Sequence, residues 1–396
     1  MYKKYTISEI GEIVSGATPK TTVSANFGGD IPWITPADLS GYSKKYISHG
    51  ARNLTMQGYN SCSTQLMPPG SVLLSSRAPI GYVAIAKNKI CTNQGFKSIV
   101  PKEIIDSEFL YYQLKYLRNV LQDLGSGTTF KELSAKKLSS VQVVVPPIEV
   151  QHAIVSKIEE LFSRLDASVA ELQTAKEKLK IYRQSVLKEA FDSVQANSPK
   201  VTIKSVCDAI KVGIVVKPTQ YYVSQGGVFA FRNANVRRNH IEDKDWAMIS
   251  QEGHLRNLKS QVHKDDVLIA RSGVNLGMAA AVPPKYDGYN AIDVVIAVPK
   301  KEFILPRYLA QYTNSPYGLE IVKRNQHGAA QGHLNVKEYG NLPIFLPDIQ
   351  EQYHLLEKIE SRLSVCDSIE QTIDASLQQA EALRQSILKQ AFEGNL

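Results

Sequence analysis

The sequence predicts a mixed α/β (α+β) protein built from two similar globular halves with β-rich cores, each followed by a long helix. Three observations predict it. The decapeptide YRQSVLKEAF at 182–191 returns as LRQSILKQAF at 383–392. Its register extends without a gap, so that residues 145–191 align with 346–392 at an offset of 201, with 15 of 47 pairs identical. Positive charge, finally, is concentrated outside these two repeated segments. A period this long marks a duplicated module, because solenoid repeats run to only about 20–50 residues. An internal two-fold is expected, and duplex DNA offers two-fold-related sites to a paired reader.

The elements follow in order. Segments 72–75, 82–86 and 141–145 in the first half, and 228–231, 267–270 and 294–298 in the second, are short apolar runs bounded by Gly, Pro or Asn, and read as strands. Residues 108–122 and 306–324 read as helices. The halves echo each other faintly: VLLSSRAPIG (72–81) answers VLIARSGVNLG (267–277), and ITPADL (34–39) answers FRNANV (231–236). In the repeated segments apolar residues recur at steps of 3, 4 or 7. Ile158, Leu161, Leu165, Leu172 and Leu179 in one copy, and Ile359, Ile369, Ile373, Leu383 and Ile387 in the other, form a heptad seam. Pro146-Pro147 and Pro347-Asp348 mark the helix starts, since proline fits a first turn and aspartate can cap. Helices of about 45 residues, on the order of 65 Å long, with complementary stripes should pair with each other. The predicted divisions are a globular part at 1–145, a long helix at 146–192, a linker at 193–200, a second globular part at 201–345 and a second long helix at 346–393.

Charge narrows the function. Residues 1–145 hold 16 Lys+Arg against 9 Asp+Glu, and residues 201–345 hold 18 against 12. Residues 146–200 balance at 8 against 8, and residues 346–396 are acidic at 4 against 9. Two basic heads on neutral or acidic helices fit contact with a polyanion through counterion release. No phosphate-binding loop, dinucleotide turn or metal-ligand spacing is present; His327 and His333, six apart, match no known metal pattern. Cys62, Cys91, Cys207 and Cys366 stand far apart and read as reduced, structural cysteines of a cytoplasmic protein. Nothing approaches the roughly 18 apolar residues of a membrane span.

Two diverged basic heads, each followed by a similar long helix, resemble the specificity subunit of type I restriction-modification systems. The first half carries SGATP (15–19), GDIPWITPADL (29–39), PGSVLLSSR (69–77) and VVVPPIEVQ (143–151). The second carries GGVFAFRNANV (226–236), DDVLIARSG (265–273) and LPIFLPDIQEQ (342–352), but reads KVGIVVKPT (211–219) where the first half has its TP…PW signature. The resemblance implies two target recognition domains reading a bipartite, asymmetric site in double-stranded DNA, with the long helices pairing antiparallel as spacers. It also implies two methyltransferase (M) subunits and restriction (R) subunits as partners, no membrane, and a prokaryotic cytoplasmic, nucleoid-associated setting. No chemistry and no cofactor is expected in this chain; S-adenosylmethionine would sit in the methyltransferase partner, and ATP and Mg in the restriction subunit. A stand-alone two-headed regulator and a coiled-coil scaffold are the competing readings.

Sequence-specific contacts favour Arg on guanine and Asn or Gln on adenine, with Lys on phosphate. In the first head the candidates are Arg77 at a strand exit, the polar loop Asn93, Gln94 and Lys97, and Thr128 and Lys131 in GSGTTFKEL (125–133). In the second they are Arg271, read as the counterpart of Arg77, with Gln331 and His333 in HGAAQGHLN (327–335). Either arginine could bind DNA or pair with a core carboxylate. The densest cluster is Arg232, Asn233, Asn235, Arg237, Arg238, Asn239 and His240, answered in the first head by Thr35, Asp38, Lys44 and Lys45. Trp33 and Trp246 read as core or strand-edge aromatics.

Overall fold

The computed structural model describes residues 2–127, 131–324 and 333–394. The chain forms two compact units, one of residues 1–172 with 375–396, the other of residues 173–374. The first unit is thus discontinuous where the predicted divisions are linear, and each unit takes part of both long helices.

In the first unit a five-stranded sheet runs Gly11–Ser15, Lys97–Pro101, Val72–Leu74, Val83–Ala86, Tyr46–Ile47. All neighbours are antiparallel except the last pair. Successive strand residues face opposite sides, and both sides are covered. Val72 and Leu74 meet Phe109, Leu110 and Leu114 of helix Ser107–Tyr116, together with Val155 and Ile158. Leu73 meets Ile34, Met67, Ala84 and Phe96 on the other side. That explains an unbroken apolar run in place of alternation. Trp33–Ile34 pairs parallel with Cys91–Thr92, and Lys3–Thr6 pairs antiparallel with Gln142–Val145.

The second unit repeats this plan. Its sheet runs Cys207–Val212, Val294–Pro299, Val267–Ala270, Ala279–Ala281, antiparallel throughout. Val228–Phe231 pairs parallel with Asn290–Ala291, and Lys200–Thr202 pairs antiparallel with Pro343–Phe345. Val267 and Ile269 pack on Tyr308 and Leu309, while Leu268 and Ala270 pack on Phe231 and Ile296. The heads differ at one edge. The first adds the strand Tyr46–Ile47; the second has a hairpin, Val236–Arg237 with His240–Ile241.

The predicted helix 306–324 is interrupted. Pro306–Asn314 ends at an extended Ser315, and Pro316–Arg324 begins afresh. Proline disfavours helical geometry in the residue before it, which accounts for the break. The predicted helix 108–122 likewise divides, at Leu117, into Ser107–Tyr116 and Arg118–Leu124.

The long helices span Ile148–Gln195 and Ile349–Glu393. The first outlasts its predicted end, because Val194 still packs on the second core, and the strand at Lys200 follows closely. Pairing is antiparallel. In the second unit Lys176 meets Asp374 at 2.6 Å, Arg183 meets Asp367 at 2.6 Å and Arg362 meets Glu189 at 2.7 Å. In the first unit Arg384 meets Asp166 and lies over the Phe162 ring. Within the seam Ile158, Leu179, Ile359, Ile373 and Ile387 are buried, and Leu161, Leu165 and Leu172 are half-buried. Ile369 and Leu383 correct the prediction, being 44% and 49% exposed. The buried row in the second helix steps strictly by seven, through Ile359, Cys366, Ile373, Ala380 and Ile387. A two-helix seam covers only a narrow stripe, and residues three positions off that row fall on its edge.

Candidate nucleic-acid interface

Four segments meet beside the sheet strands of the first unit. The glycine after the first sheet strand, Gly16, donates its N–H to Phe96 O, and Ala17 N–H bonds Thr92 O at 3.0 Å. A side chain at Gly16 would collide with backbone, its Cβ falling 2.0 Å from Asn93 O. Glycine is therefore required for this close approach. Ser76 N–H bonds Gly95 O at 2.7 Å and Leu133 N–H bonds Ser76 O at 2.9 Å. The segments around residues 16–18, 76–81 and 92–97, with residues 126–127 and 131–133, thus form one rim.

That rim gathers the first head's candidates. Asn93 Oδ1 accepts from Gly95 N–H at 2.9 Å, closing a polar turn, and Gln94 Oε1 accepts the Thr18 hydroxyl. Glu132 lies 3.6 Å from Arg77 Nη1 and 4.0 Å from Lys97 Nζ. A single half-exposed carboxylate between two cations neutralises little of their charge. Lys131 beside it is exposed. Thr128 lies outside the described residues.

The second unit builds the same rim from different residues. Gly213 takes the part of Gly16: its N–H bonds Val294 O, Ile214 N–H bonds Ala291 O at 2.8 Å, and a Cβ would fall 2.4 Å from Ala291 O. The missing TP…PW signature therefore leaves the local backbone plan intact. Leu334 N–H bonds Arg271 O at 2.9 Å, as Leu133 bonds Ser76. His333 is exposed next to this bond, and Gln331 lies outside the described residues.

These bonds correct one pairing. The positional counterpart of Arg271 is Ser76, not Arg77, because both carbonyls accept from the equivalent leucine. Neighbouring residues on an extended chain face opposite ways, so the two arginines are not equivalent. Arg271 pairs with Asp293 at 3.1 Å and is mostly buried.

The arginine-asparagine cluster is not one patch. Asn235 is fully buried; its Oδ1 accepts from Arg232 N–H and its Nδ2 donates to Glu242 O and Lys244 O. Its side chain is spent holding the loop, which removes it from any contact surface. Asn233 is also engaged, accepting from Arg271 N–H and donating to Ser272 Oγ, both at 2.8 Å. It ties Arg232 to the rim. Arg237 lies 3.7 Å from Glu242. Arg238 and His240 turn elsewhere, lining a groove of about 560 Å³ with Arg183, Arg307, Glu360 and Asp367. Composition alone could not show that a nine-residue basic run divides between two surfaces.

The first head's answering residues also have structural duties. Thr35 donates to Asp38 Oδ2 at 2.7 Å through both its N–H and its hydroxyl. Lys45 sits between Glu108, at 2.7 Å, and Glu159. Burial lowers the basicity of Lys45, but its two carboxylate bonds outweigh that and raise its pKa. Lys44 lines a shallow pocket with Tyr42 and Lys87. Trp33 is buried against Phe27, and Trp246 packs among Phe231, Tyr286 and Tyr289. Burial pushes the thiols of Cys91 and Cys207 up to about 12, which leaves them unreactive. Residues that sequence reasoning missed are Thr18, Glu132, Ser272 and Asp293. Only Glu132, adjoining Lys131, carried any signal.

Among the described residues no cluster of His, Cys, Asp or Glu is arranged to hold a metal ion, and no helix is long and apolar enough to cross a membrane. Against known proteins, the type I restriction modification DNA specificity domain matches residues 1–177. The specificity subunit of the type I restriction enzyme MjaIX from Methanocaldococcus jannaschii is 31% identical over 88% of this chain and 84% of its own. That of EcoBI from Escherichia coli is 26% identical over 79% and 69%. Among solved structures, a chain from a study of complex assembly and conformational transition in a type I R-M system aligns with TM-score 0.73 at 18% identity, covering 100% of this chain and 98% of that one. The HsdS subunit from Thermoanaerobacter tengcongensis aligns with TM-score 0.56 at 18% identity, over 100% and 97%. With its duplicated heads, its paired long helices and a relative this similar along most of both chains, the protein belongs to the DNA specificity subunits of type I restriction enzymes.

Proposed function

We propose that each head reads one half of a bipartite, asymmetric DNA sequence through its rim, and that the paired helices fix the number of unread base pairs between the halves. The chain itself performs no chemistry. It docks two methyltransferase subunits, which bring S-adenosylmethionine, and then restriction subunits, which bring ATP and Mg. One observation carries this reading: two heads that share the order of four sheet strands and a rim built on the same backbone plan present different side chains, as expected of one scaffold reading two sequences. Basic residues on the rims would set phosphate register, and the polar side chains among them would read base edges.

Methylation mapping in cells carrying this chain with its methyltransferase subunit tests the reading. A two-part motif with a fixed gap is expected. Removing one heptad from both helices withdraws about 10 Å, and should shorten the gap by about three base pairs at 3.4 Å each without altering either half. A changed half-site with an unchanged gap would refute it. Site-specific DNA binding by a chain that does not co-purify with its methyltransferase subunit would favour a stand-alone regulator.

A further inference from the structure

We propose that the second head reads a thymine methyl group through Val274, with Val216 flanking it; this rests on the DNA-reading function proposed above. Val274 is 97% exposed and Val216 is 71% exposed, which is extreme for branched aliphatic side chains. Both stand on the rim. Val274 tops the turn Gly273–Asn275, and Val216 lies three residues beyond Gly213. Both segments are fastened to Asp293: its N–H bonds Ile214 O at 3.1 Å, and its Oδ2 accepts the Ser272 hydroxyl at 3.2 Å.

The mount under Val274 is stiff. Gly277 N–H bonds Ala270 O and Met278 N–H bonds Asn275 O, each at 2.8 Å. The buried Asn275 side chain donates to Asn233 O at 2.9 Å. Gly273 takes a left-handed φ of +73° that lets the turn close. The braces therefore hold an apolar group out in solvent, where it contributes nothing to the core. Asn233, which follows Arg232 in the chain, also accepts from Arg271 N–H, so two arginine-bearing segments share the brace of this turn; the Arg271 guanidinium itself pairs with Asp293. An apolar tip on the rim of a basic head fits a polyanion that displays an apolar group in a groove. In the major groove of duplex DNA the thymine C5-methyl is that group. The first head differs: Pro19, three residues beyond Gly16, is buried, and the exposed tip of its matching turn is Ala78-Pro79, with no branched aliphatic side chain.

The test uses the complex with its methyltransferase subunits, bound to duplexes carrying the mapped site. Each thymine of the second half-site is replaced in turn by deoxyuridine, which removes only the methyl. At one position the wild-type complex should lose about fourfold in affinity, the value of one buried methyl-sized group. Val274→Ala should bind the unmodified site about fourfold more weakly and be indifferent to uracil at that position. The assignment is overturned if the half-site contains no thymine, or if Val274→Ala keeps both wild-type affinity and wild-type uracil response. It is equally overturned if Val274→Ala releases a protein subunit while a free DNA-binding complex persists. Absence of any site-specific binding by the wild-type complex would instead bring down the DNA-reading function itself.

Discussion

Gln151 and Gln352, 201 positions apart, are both fully buried and make the same three hydrogen bonds. Gln151 accepts from Asp106 N–H and donates to Ile104 O and Pro146 O. Gln352 accepts from Leu305 N–H and donates to Phe303 O and Pro347 O. Each side chain joins the first turn of a long helix to the loop before the helix of its own head. It fixes the angle at which the long helix leaves that head.

Gln151→Leu or Gln352→Leu strands three backbone groups, at least one of them in a dry interior. Each variant should lose about 3 kcal/mol, since an unpaired buried polar group costs about 1–3 kcal/mol. Urea unfolding would measure this, and a loss below about 1 kcal/mol would show that water takes over the bonds.

The repeated decapeptide ends in phenylalanine for a packing reason. Phe191 is buried edge-on against Tyr308 and Tyr312, at 5.5 and 5.1 Å between centroids. Phe392 meets Phe109 at 5.3 Å and stacks on Tyr116 at 5.6 Å. Phe191→Ala should cost about 3–5 kcal/mol. Phe392→Ala, at a partly buried site, should cost about 2 kcal/mol. Thermal unfolding followed separately in each unit would check the ranking.

A pH dependence is expected where Glu108 meets Lys45 and Tyr46. Burial opposes ionisation of Glu108, but bonds from Lys45 and Tyr46 outweigh it and hold its carboxyl below the usual range. A depressed carboxyl adds stability above its unfolded pKa and loses it as pH falls through the folded value. The gap in unfolding free energy between wild type and Glu108→Gln should be less than about 1 kcal/mol at neutral pH and close below about pH 4. A gap that widened on acidification would contradict the assignment.

On DNA, Lys131→Ala should reduce the slope of log affinity against log salt by about 0.9 and leave the methylated motif unchanged. Gln94→Ala should relax the motif at one position of the first half-site while leaving the salt slope alone. Filter binding across a salt series and methylation mapping separate the two effects.

The long helices and their packing ends were readable because a helix writes its partners into a local period, and duplication wrote them twice. The sheets were harder. Lys97–Pro101 lies between Gly11–Ser15 and Val72–Leu74, and no local pattern reveals a pairing across so many residues. The rims were partly legible: Gly16 and Gly213 follow strands in SG and VG, a signal that went unused. Asn235 and Lys45 misled because residue type reports what a side chain can bond, not what it already bonds. Ile369 and Leu383 misled because a stepping of 3 and 4 is blind to how wide the covered stripe is.

Phe392 in the first head's core has a consequence for biosynthesis. The second unit is one continuous stretch and has all its parts once residue 374 is made. The first unit, although translated earlier, waits for the last residues to deliver Leu388, Ala391 and Phe392 into its interior. The nascent chain therefore finishes its halves in reverse order of their genetic sequence, and a prematurely stopped message leaves the amino-terminal reader unfinished.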